Sequence, residues 1–392
     1  NKPRQLEKLV KNNPFHKSPI REWTEAIVFA VFAAAFIRMF LLEAYKIPTP
    51  SMEGSLNVGD FLFVSKAHYG IRTPMTIAMF PLLHNTIPVI GGESYLEKPS
   101  LPYFRLPALE SIDRNEPIVF NWPVGDSVYL SPTRSYTAFQ VKTNPEAKRD
   151  VGNSPLITRP IDKKDHYIKR CIAIAGDSLE VRNRQVYING VAAVNPKNLQ
   201  FAYQIDAPNL NYAKVEEAGI AIPPDRRWPY FLSATHLEKL KGIDPNIQIR
   251  PFDPAGQTAG LFPHDPVHFN TWTVDNYGPI YIPKKGATVA LTPETIALYR
   301  RVIDVYENND YKEENGQYII NGVPSTSYTF KQDYYWAMGD NRHNSEDSRA
   351  WGFVPHDHIV GKPLFIWFST KNGDMSNGIN WDRIFTSAYK MD

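Results

Sequence analysis

The chain has 392 residues, with 43 basic and 41 acidic side chains and a net charge of +2. This length allows two or three domains, and the near-neutral balance gives no reason to expect nucleic-acid binding. The 33 prolines and 13% aromatic residues favour a β-rich, loop-rich body over a helical bundle. The single cysteine, Cys171, excludes an intrachain disulfide. The sequence starts at Asn1 rather than a methionine, which allows an upstream segment.

One long apolar segment lies near the N-terminus. Residues 26–37 are continuously apolar, and Arg38 interrupts the run before it resumes. A helix over residues 23–45 would be roughly 34 Å long, enough to cross a hydrocarbon core of about 30 Å. Trp23 and Tyr45 would lie at the two interfaces, and Arg38 would reach the nearer one. We therefore predict a transmembrane helix over 23–45.

A buried core helix and a cleaved signal peptide are the alternatives to a membrane anchor. No small-x-small cleavage site follows the apolar run, which disfavours the signal peptide. Residues 1–22 carry six basic and two acidic side chains. The positive-inside tendency predicts that this basic segment stays in the cytoplasm. Everything after residue 45 would then lie beyond the outer face of the membrane.

Past the apolar segment, short runs of β-branched and aromatic residues are bounded by turn residues. One strand is predicted in Asp60–Ala67, one in Pro117–Trp122 and three in His166–Gly190. Another begins at Tyr334 and is followed, after a long polar loop, by a last strand in Gly361–Ser369. The chain is therefore predicted to be mainly β. Its antiparallel core would come from 46–70, 114–126, 165–194 and 328–370, with insertions at 71–113 and 127–164, a large inserted lobe at 195–327 and a C-terminal tail at 371–392.

Ser51 stands out in AYKIPTPSMEGSL, shortly after the apolar run and directly after two closely spaced prolines. It has no G-x-S-x-G elbow, and Gly54 rather than lysine follows three residues on, which excludes two common serine arrangements. The ten histidines offer no evident triad partner. A lysine can serve as the base where burial disfavours its charged form, because a pKa of about 7–8 requires roughly 4 kcal/mol of desolvation.

Lys169 is a candidate for such a base, since it lies within the apolar strand YIKRCIAIA. Strand alternation places Tyr167, Lys169 and Cys171 on one face and Ile168 and Arg170 on the other. A water-facing Lys-Arg pair at a sheet edge is the commoner explanation of this spacing, and spacing alone leaves it open.

Two groups of polar residues suggest metal binding but lack the ligands for it. The string DNRHNSEDS is similar to a calcium loop, yet Trp351 stands where the bidentate glutamate belongs. The pairs His264/His268 and His356/His358 have no third ligand and are predicted to lie in surface loops. We predict neither a metal nor a cofactor.

Three separated segments resemble the motif boxes of type I signal (leader) peptidases, the membrane-bound Ser/Lys proteases. IPTPSMEGSLNVGDFLFVSK resembles the nucleophile box, DHYIKRCIAIAGDSLEV the lysine box, and MGDNRHNSEDSRAWGFVP the terminal signature. RNEPIVFNWP is similar to the strand box between the first two, and IRMFLLEAYKIP to the family's helix end. The insertions match no motif.

The resemblance implies an antiparallel β catalytic core of the signal-peptidase type and a role for each matching residue. Ser51 would be the nucleophile, Lys169 the general base, and Ser345 the group that holds the lysine amine. The Ser51 N–H and the Thr49 hydroxyl would stabilise the oxyanion. Support from the same loop as Ser345 would come from Asp340, Arg342, Asp347 and Arg349. The walls of pockets for small side chains would be Ile47, Pro48, Met52, Leu56, Leu62, Tyr167 and Ile168.

One position departs from the family pattern. After Ser-Met the family usually has x-Pro-Thr-Leu, whereas this chain has Glu-Gly-Ser-Leu over residues 53–56. Gly54 predicts a looser turn than proline would give.

The resemblance implies a serine endopeptidase that cleaves signal peptides from exported preproteins after small-x-small sites, at the outer face of a bacterial inner membrane. Its partners would be preprotein signal peptides and the lipid bilayer, with the secretion machinery as a further candidate. A self-cleaving Ser/Lys repressor is disfavoured because residues 1–46 contain no helix-turn-helix. A catalytically weak or degenerate homologue that acts as a membrane-bound binding or assembly factor stays open.

Overall fold

The computed structural model describes residues 17–87, 92–131, 134–207, 210–223, 229–252 and 260–388. Most of the basic segment predicted at 1–22, and the end of the predicted tail, lie outside these ranges. Within them the chain is mainly antiparallel β-sheet, preceded by one long N-terminal helix. The predicted fold class is confirmed.

The α-helices of the described ranges are α1 Pro19–Phe40, α2 Ala138–Thr143, α3 Pro145–Val151, α4 Tyr212–Glu217, α5 Ala234–Ile243, α6 Pro293–Arg301 and α7 Ser348–Trp351. The strands are β1 Leu42–Lys46, β2 Asp60–Ser65, β3 Pro117–Asn121, β4 Ser127–Leu130, β5 Ser135–Thr137, β6 Leu156–Thr158, β7 His166–Ala173, β8 Ser178–Arg182, β9 Gln185–Ile188, β10 Val191–Ala192, β11 Phe201–Asp206, β12 Tyr230–Leu232, β13 Gln248–Pro251, β14 Tyr277–Tyr281, β15 Thr288–Ala290, β16 Tyr311–Glu314, β17 Gln317–Ile320, β18 Val323–Ser325, β19 Ser327–Thr329, β20 Tyr334–Met338, β21 Val354–Pro355 and β22 Ile359–Ser369.

Helix α1 ends earlier than the sequence predicted. It has 22 residues, which corresponds to about 33 Å, and Ser18 caps it by accepting a hydrogen bond from the Arg21 N–H. None of its residues is buried, and among the described residues it is the one helix long and apolar enough to cross a membrane. The prediction that the helix continues to Tyr45 is wrong, because the backbone of residues 42–46 pairs with β2 instead.

An ion-pair group at the α1–β1 junction accounts for this early end. Glu43 is buried and pairs with both Arg38 and Lys66 at 2.7 Å. Burial alone would raise the pKa of the Glu43 carboxyl, but Lys66 first, and then His166 and Arg38, hold it far below its usual range. The Tyr45 hydroxyl donates to the same carboxylate at 2.7 Å. Tyr45 therefore belongs to the first strand of the sheet and not to the helix.

A seven-stranded antiparallel sheet is the largest sheet of the described residues, with the order β1-β2-β22-β3-β7-β20-β21. Every residue of β3 is buried, because both faces of the sheet are covered. Ile118 and Phe120 pack on one face beside Trp122. Val119 packs on the other face with Leu62. Strand β7, between β3 and β20, is thus held in an apolar interior.

The predicted insertions pack around this sheet as separate units. The first insertion folds back on itself as an irregular antiparallel ribbon. Four isolated β-bridges, from Arg72↔Arg105 to Thr86↔Glu93, join its two halves. Strands β4–β6 with α2 and α3 make up the second. The stretch predicted as one lobe at 195–327 contains two parts. Strands β11–β13 with α4 and α5 enclose their own apolar core, whereas β14 pairs with β8 and joins the core around Trp336.

The histidine pairs predicted in surface loops are not all exposed. His358 is 2% exposed, and its Nδ1 lies 2.6 Å from Asp357 Oδ1 while its Nε2 accepts from the Lys164 amine at 3.1 Å. The prediction is wrong for His358 because its turn packs under Tyr306 between β21 and β22. Among the described residues no group of three metal-ligating side chains occurs.

Buried histidines predict a loss of stability in mild acid. Burial lowers the pKa of His84, His356 and His358 to about 4. The unfolded chain takes up these protons near pH 6.5, so the free energy of unfolding should fall as the pH drops from 6.5 towards 4. We expect the melting temperature of the full chain in detergent to be lower at pH 5 than at pH 7.5.

His84→Gln is the matched variant for this measurement. The His84 Nε2 donates to the Lys164 carbonyl at 2.9 Å, and a glutamine amide can replace that donor without titrating. Between pH 7.5 and pH 5, the melting temperature of this variant should fall less than that of the wild type. Identical melting temperatures of the wild type at pH 5 and 7.5 would contradict the prediction.

Candidate active site

Ser51 lies on a single 3-10 turn, Pro50–Met52, that follows β1. Thr49 before the turn is extended (φ −127°, ψ 150°), and Pro50 is the first residue of the turn. The chain entering the turn is tied to β2, because the Ile47 N–H donates to the Asp60 carbonyl at 2.8 Å. Ser51 is 7% exposed and lines an open cleft.

Lys169 reaches Ser51 from β7. Its Nζ lies 2.7 Å from the Ser51 Oγ and 3.0 Å from the Ile168 carbonyl oxygen. Lys169 is 3% exposed, and the neighbouring Arg170 is fully buried against Asp340, with 2.6 Å between Nη2 and Oδ2. The alternative of a water-facing Lys-Arg pair is therefore excluded. Strand β7 has strand partners on both sides at Arg170, where the pairing with β3 ends and the pairing with β20 begins.

The surroundings of Lys169 favour its neutral form. Burial lowers the pKa of its amine from the ordinary value near 10.5 to about 8, although the carboxylates of Asp347, Glu346 and Asp340 act in the opposite direction. Near pH 8 about half of the molecules then carry an amine that can accept the Ser51 proton.

The loop between β20 and α7 holds these carboxylates in pairs with guanidinium groups. Asp347 accepts hydrogen bonds from the Arg349 Nε at 2.9 Å and Nη2 at 2.8 Å, and both residues are buried. Asp340 pairs with Arg170 and not with Arg342, whose Nε donates to the Gly339 carbonyl at 3.2 Å. The pairing limits the negative charge that reaches Lys169.

Ser345 lies close to Ser51 but does not bond to Lys169. A Cβ placed on Gly339 would overlap both the Ser345 Oγ and the Ser51 carbonyl oxygen, so Gly339 separates the two serines. Within the described ranges the Ser345 Oγ is buried without a hydrogen-bond partner. It is near enough to Asp347 to help lower the pKa of that carboxyl, though not in hydrogen-bond geometry. The contact with the lysine amine that the resemblance implied is not made here.

The cleft beside Ser51 has a volume of about 1040 Å³. The predicted wall and oxyanion residues that line it are Ile47, Pro48, Thr49, Met52, Leu62, Tyr167 and Ile168. Leu56 does not line it, because its side chain packs in the core with Met52 and Leu62.

The cleft wall also contains polar residues that were missed from the sequence. Arg134 and Glu346 line it and pair at 2.8 Å, and Asn85 and His343 line it as well. Arg134 and Asn85 lie in insertions that match no motif, so no local pattern marks them. The available signals were His343 and Glu346, which both lie in the quoted signature around Ser345.

A serine hydroxyl against a buried lysine of lowered pKa, at the side of a cleft, is how a serine nucleophile is activated without histidine. The arrangement is typical of serine-type hydrolases. The family model described as "Signal peptidase, peptidase S26" matches residues 20–228 and 284–368. The chain therefore belongs to this family, the signal peptidases of peptidase S26, and is a serine-type peptidase.

Curated relatives align with nearly the whole chain. The chain is 25% identical to the signal peptidase I of Haemophilus influenzae over 375 residues, 94% of this chain and 77% of that protein. It is 23% identical to signal peptidase I of Helicobacter pylori over 377 residues, 93% of this chain and 91% of that protein. The same protein of Pseudomonas aeruginosa is 23% identical over 394 residues, 97% and 82% of the two chains. The resemblance seen in the motifs is thus confirmed.

Gly339→Ala should disable the site. The added methyl group would displace Ser345 or the Ser51 backbone, and a displacement of about 1 Å costs on the order of a hundredfold in rate. The measurement is the cleavage rate of a signal-peptide substrate. Gly242→Ala on α5 is the matched control, since a Cβ there meets nothing within 4 Å. Wild-type activity in Gly339→Ala would refute this account of the site.

Proposed function

We propose that the protein cleaves signal peptides from exported preproteins after small-x-small sites, with Ser51 as nucleophile and Lys169 as general base. The observation that carries the proposal is the 2.7 Å separation of the Lys169 Nζ and the Ser51 Oγ, with an amine whose pKa is lowered to about 8 by burial. No other described base lies within hydrogen-bond distance of this hydroxyl.

In the proposed mechanism the neutral Lys169 amine takes the Ser51 proton as Oγ attacks the scissile carbonyl carbon. The ammonium then donates that proton to the leaving amine, and an acyl ester forms on Ser51. Water, deprotonated by the same amine, releases the acyl group. The proposed oxyanion donors are the Ser51 N–H and the hydroxyl of Thr49, which lines the cleft and does not cap the following turn.

The remaining predicted residues take supporting roles in this proposal. The unpartnered Ser345 Oγ is a suitable acceptor for the ammonium that forms during the reaction. The Asp347–Arg349 pair, together with Asp340 and Arg342, would hold the loop that carries Ser345. Breaking a buried pair of this kind costs about 3–5 kcal/mol, because the remaining charge is left uncompensated.

The open edge of β7 supports binding of an extended substrate. Strand β20 pairs with β7 over Arg170–Ala173, whereas β3 pairs with it over His166–Arg170. Among the described strands, residues 166–169 thus have a partner on one side, and the cleft lies along this segment. An extended preprotein can add here as a strand, with its small side chains against the apolar wall.

We further propose that α1 spans the bacterial inner membrane with its N-terminus in the cytoplasm. Its length, its unburied surface and the basic residues before it support this placement. Enzyme and substrate would then meet on a shared surface, which raises their effective concentration. The alternative of a degenerate homologue is disfavoured because the serine and the lysine are in contact.

Ser51→Ala and Lys169→Met should each abolish cleavage of a small-x-small preprotein. The first variant removes the nucleophile, and the second replaces the base by an apolar side chain of similar length. Loss of such groups costs on the order of 10⁴-fold or more in kcat. The measurement is the new N-terminus of the product by mass spectrometry. Lys371→Met, at an exposed lysine, is the control. Turnover retained in either active-site variant would exclude the proposed pair.

The cleavage rate should depend on the protonation of Lys169. Below a pH of about 8 the neutral amine becomes scarcer, so kcat/KM should fall about tenfold per pH unit. The Glu346 carboxylate raises the pKa of Lys169. Glu346→Gln should therefore move the midpoint of this fall to lower pH.

Glu314→Gln, at an exposed carboxylate distant in sequence from the cleft residues, is the control and should leave the midpoint unchanged. A rate that does not vary between pH 5 and 9 in the wild type would exclude lysine as the base. A midpoint that moves to higher pH in Glu346→Gln would exclude the electrostatic explanation.

A further inference from the structure

A short segment of the inserted region lies between the loop that carries Ser51 and the loop that carries Ser345. Residues Asn198–Ala202, named here the bridging segment, lead into β11 and come after the β8–β10 strands. The segment contacts the loop after Ser51 on one side and the loop that begins at Gly339 on the other. Three separate contacts tie it to them.

The first contact explains why residue 54 is a glycine. Gly54 has φ +91°, and a Cβ there would lie 2.7 Å from the Asn198 carbonyl oxygen and 2.9 Å from the Asn198 Cβ. The Asn198 Nδ2 donates to the Gly54 carbonyl at 3.1 Å, and the Gly54 N–H donates to the Asn57 Oδ1 at 3.1 Å. Proline, with φ near −65° and no N–H, cannot adopt this turn. The turn that the sequence predicted to be loose is packed against the bridging segment.

The second contact runs through the backbone of Gln200, which is 4% exposed. Its N–H donates to the Asp340 carbonyl and its carbonyl accepts from the Arg342 N–H, both at 2.9 Å, so it pairs in parallel with Asn341. The Asn341 N–H in turn donates to the Ser51 carbonyl at 3.1 Å. Two backbone steps thus connect the bridging segment to the nucleophile.

The third contact fixes a histidine that lines the cleft. The Ala202 N–H donates to the His343 Nδ1 at 3.0 Å. Because Nδ1 accepts, the ring proton lies on Nε2, which donates to the Asp275 Oδ1 at 2.8 Å. The bridging segment therefore holds His343 as well as Gly54 and Asn341.

We propose that the bridging segment is a positioning element that fixes Ser51 relative to Lys169. This inference rests on the proposed function of Ser51 and goes beyond it. In the family, a proline restrains the loop after the nucleophile from within. In this chain the restraint comes from contacts of that loop with Asn198 and Gln200 of the bridging segment. It follows that the proline usual at this position in the family should harm this enzyme rather than improve it.

The test compares Asn198→Ala, Gly54→Ala and Gly54→Pro with two matched controls in the full chain in detergent. Asn246→Ala changes an exposed asparagine of the same inserted region. Gly190→Ala introduces a side chain at φ +81°, where nothing lies within 4 Å, so it reports the cost of the backbone conformation alone. Two readouts are used: kcat and KM on a small-x-small preprotein, and hydrogen–deuterium exchange of peptides covering residues 49–58.

We expect kcat to fall about tenfold in Asn198→Ala and about a hundredfold in Gly54→Ala and Gly54→Pro, with KM and the pH midpoint of the rate little changed. Exchange over 49–58 should become faster in these variants and stay unchanged in both controls. Unchanged exchange in Asn198→Ala would overturn the proposal. Faster exchange with an unchanged kcat would also overturn it, because the contact would then be structural only.

The failure of the proposed function gives a different result. A wild-type enzyme that does not cleave the preprotein at any pH would refute the proposed function. The exchange data would then still decide whether the bridging segment restrains the loop: equal exchange in Asn198→Ala and Asn246→Ala would overturn that part as well.

Discussion

A lysine can act as a base near neutral pH only while its amine is kept out of water, and much of this fold serves that requirement. Strand β7 lies in a sheet covered on both faces, and Lys169 on this strand is only 3% exposed. The adjacent Arg170 then has to be buried too, and it is compensated by Asp340. The loop that supplies Asp340 also carries Ser345, so the pairing of Arg170 with Asp340 also helps to position Ser345.

The features that depend on local pattern were predictable from the sequence. The strands at β2, β3, β7 and β20 follow from short apolar runs between turn residues. The roles proposed for Ser51 and Lys169 come from the resemblance, and the structure brings the two side chains to 2.7 Å. The exposure of Lys169 was not predictable from spacing, since alternation assigns a face but not what covers it. Its amine is covered in part by the turn that carries Ser51, which is 118 residues away along the chain.

The features that depend on distant contacts could not be predicted. The helix end at Phe40 depends on the pairing of Glu43 with Lys66 from another strand. His358 is buried because it packs against Tyr306. Leu56, predicted in the cleft wall, lies in the apolar core instead. Gly54 is the clearest case. From the sequence, Gly54 is noticed only because the family usually has proline there. Its conformation is set by contact with Asn198, from a different part of the chain.

The junction of α1 with β1 has a mechanical consequence. A single residue, Leu41, separates the helix from the first strand of the sheet, and Arg38, Glu43 and Lys66 pair across the connection. If α1 spans the bilayer as proposed, the β-sheet core would not swing freely on a linker, and the fold would set the height of the cleft above the lipid. On the proposed placement of α1, the cleavage bond would be selected by its distance from the membrane as well as by the side chains around it.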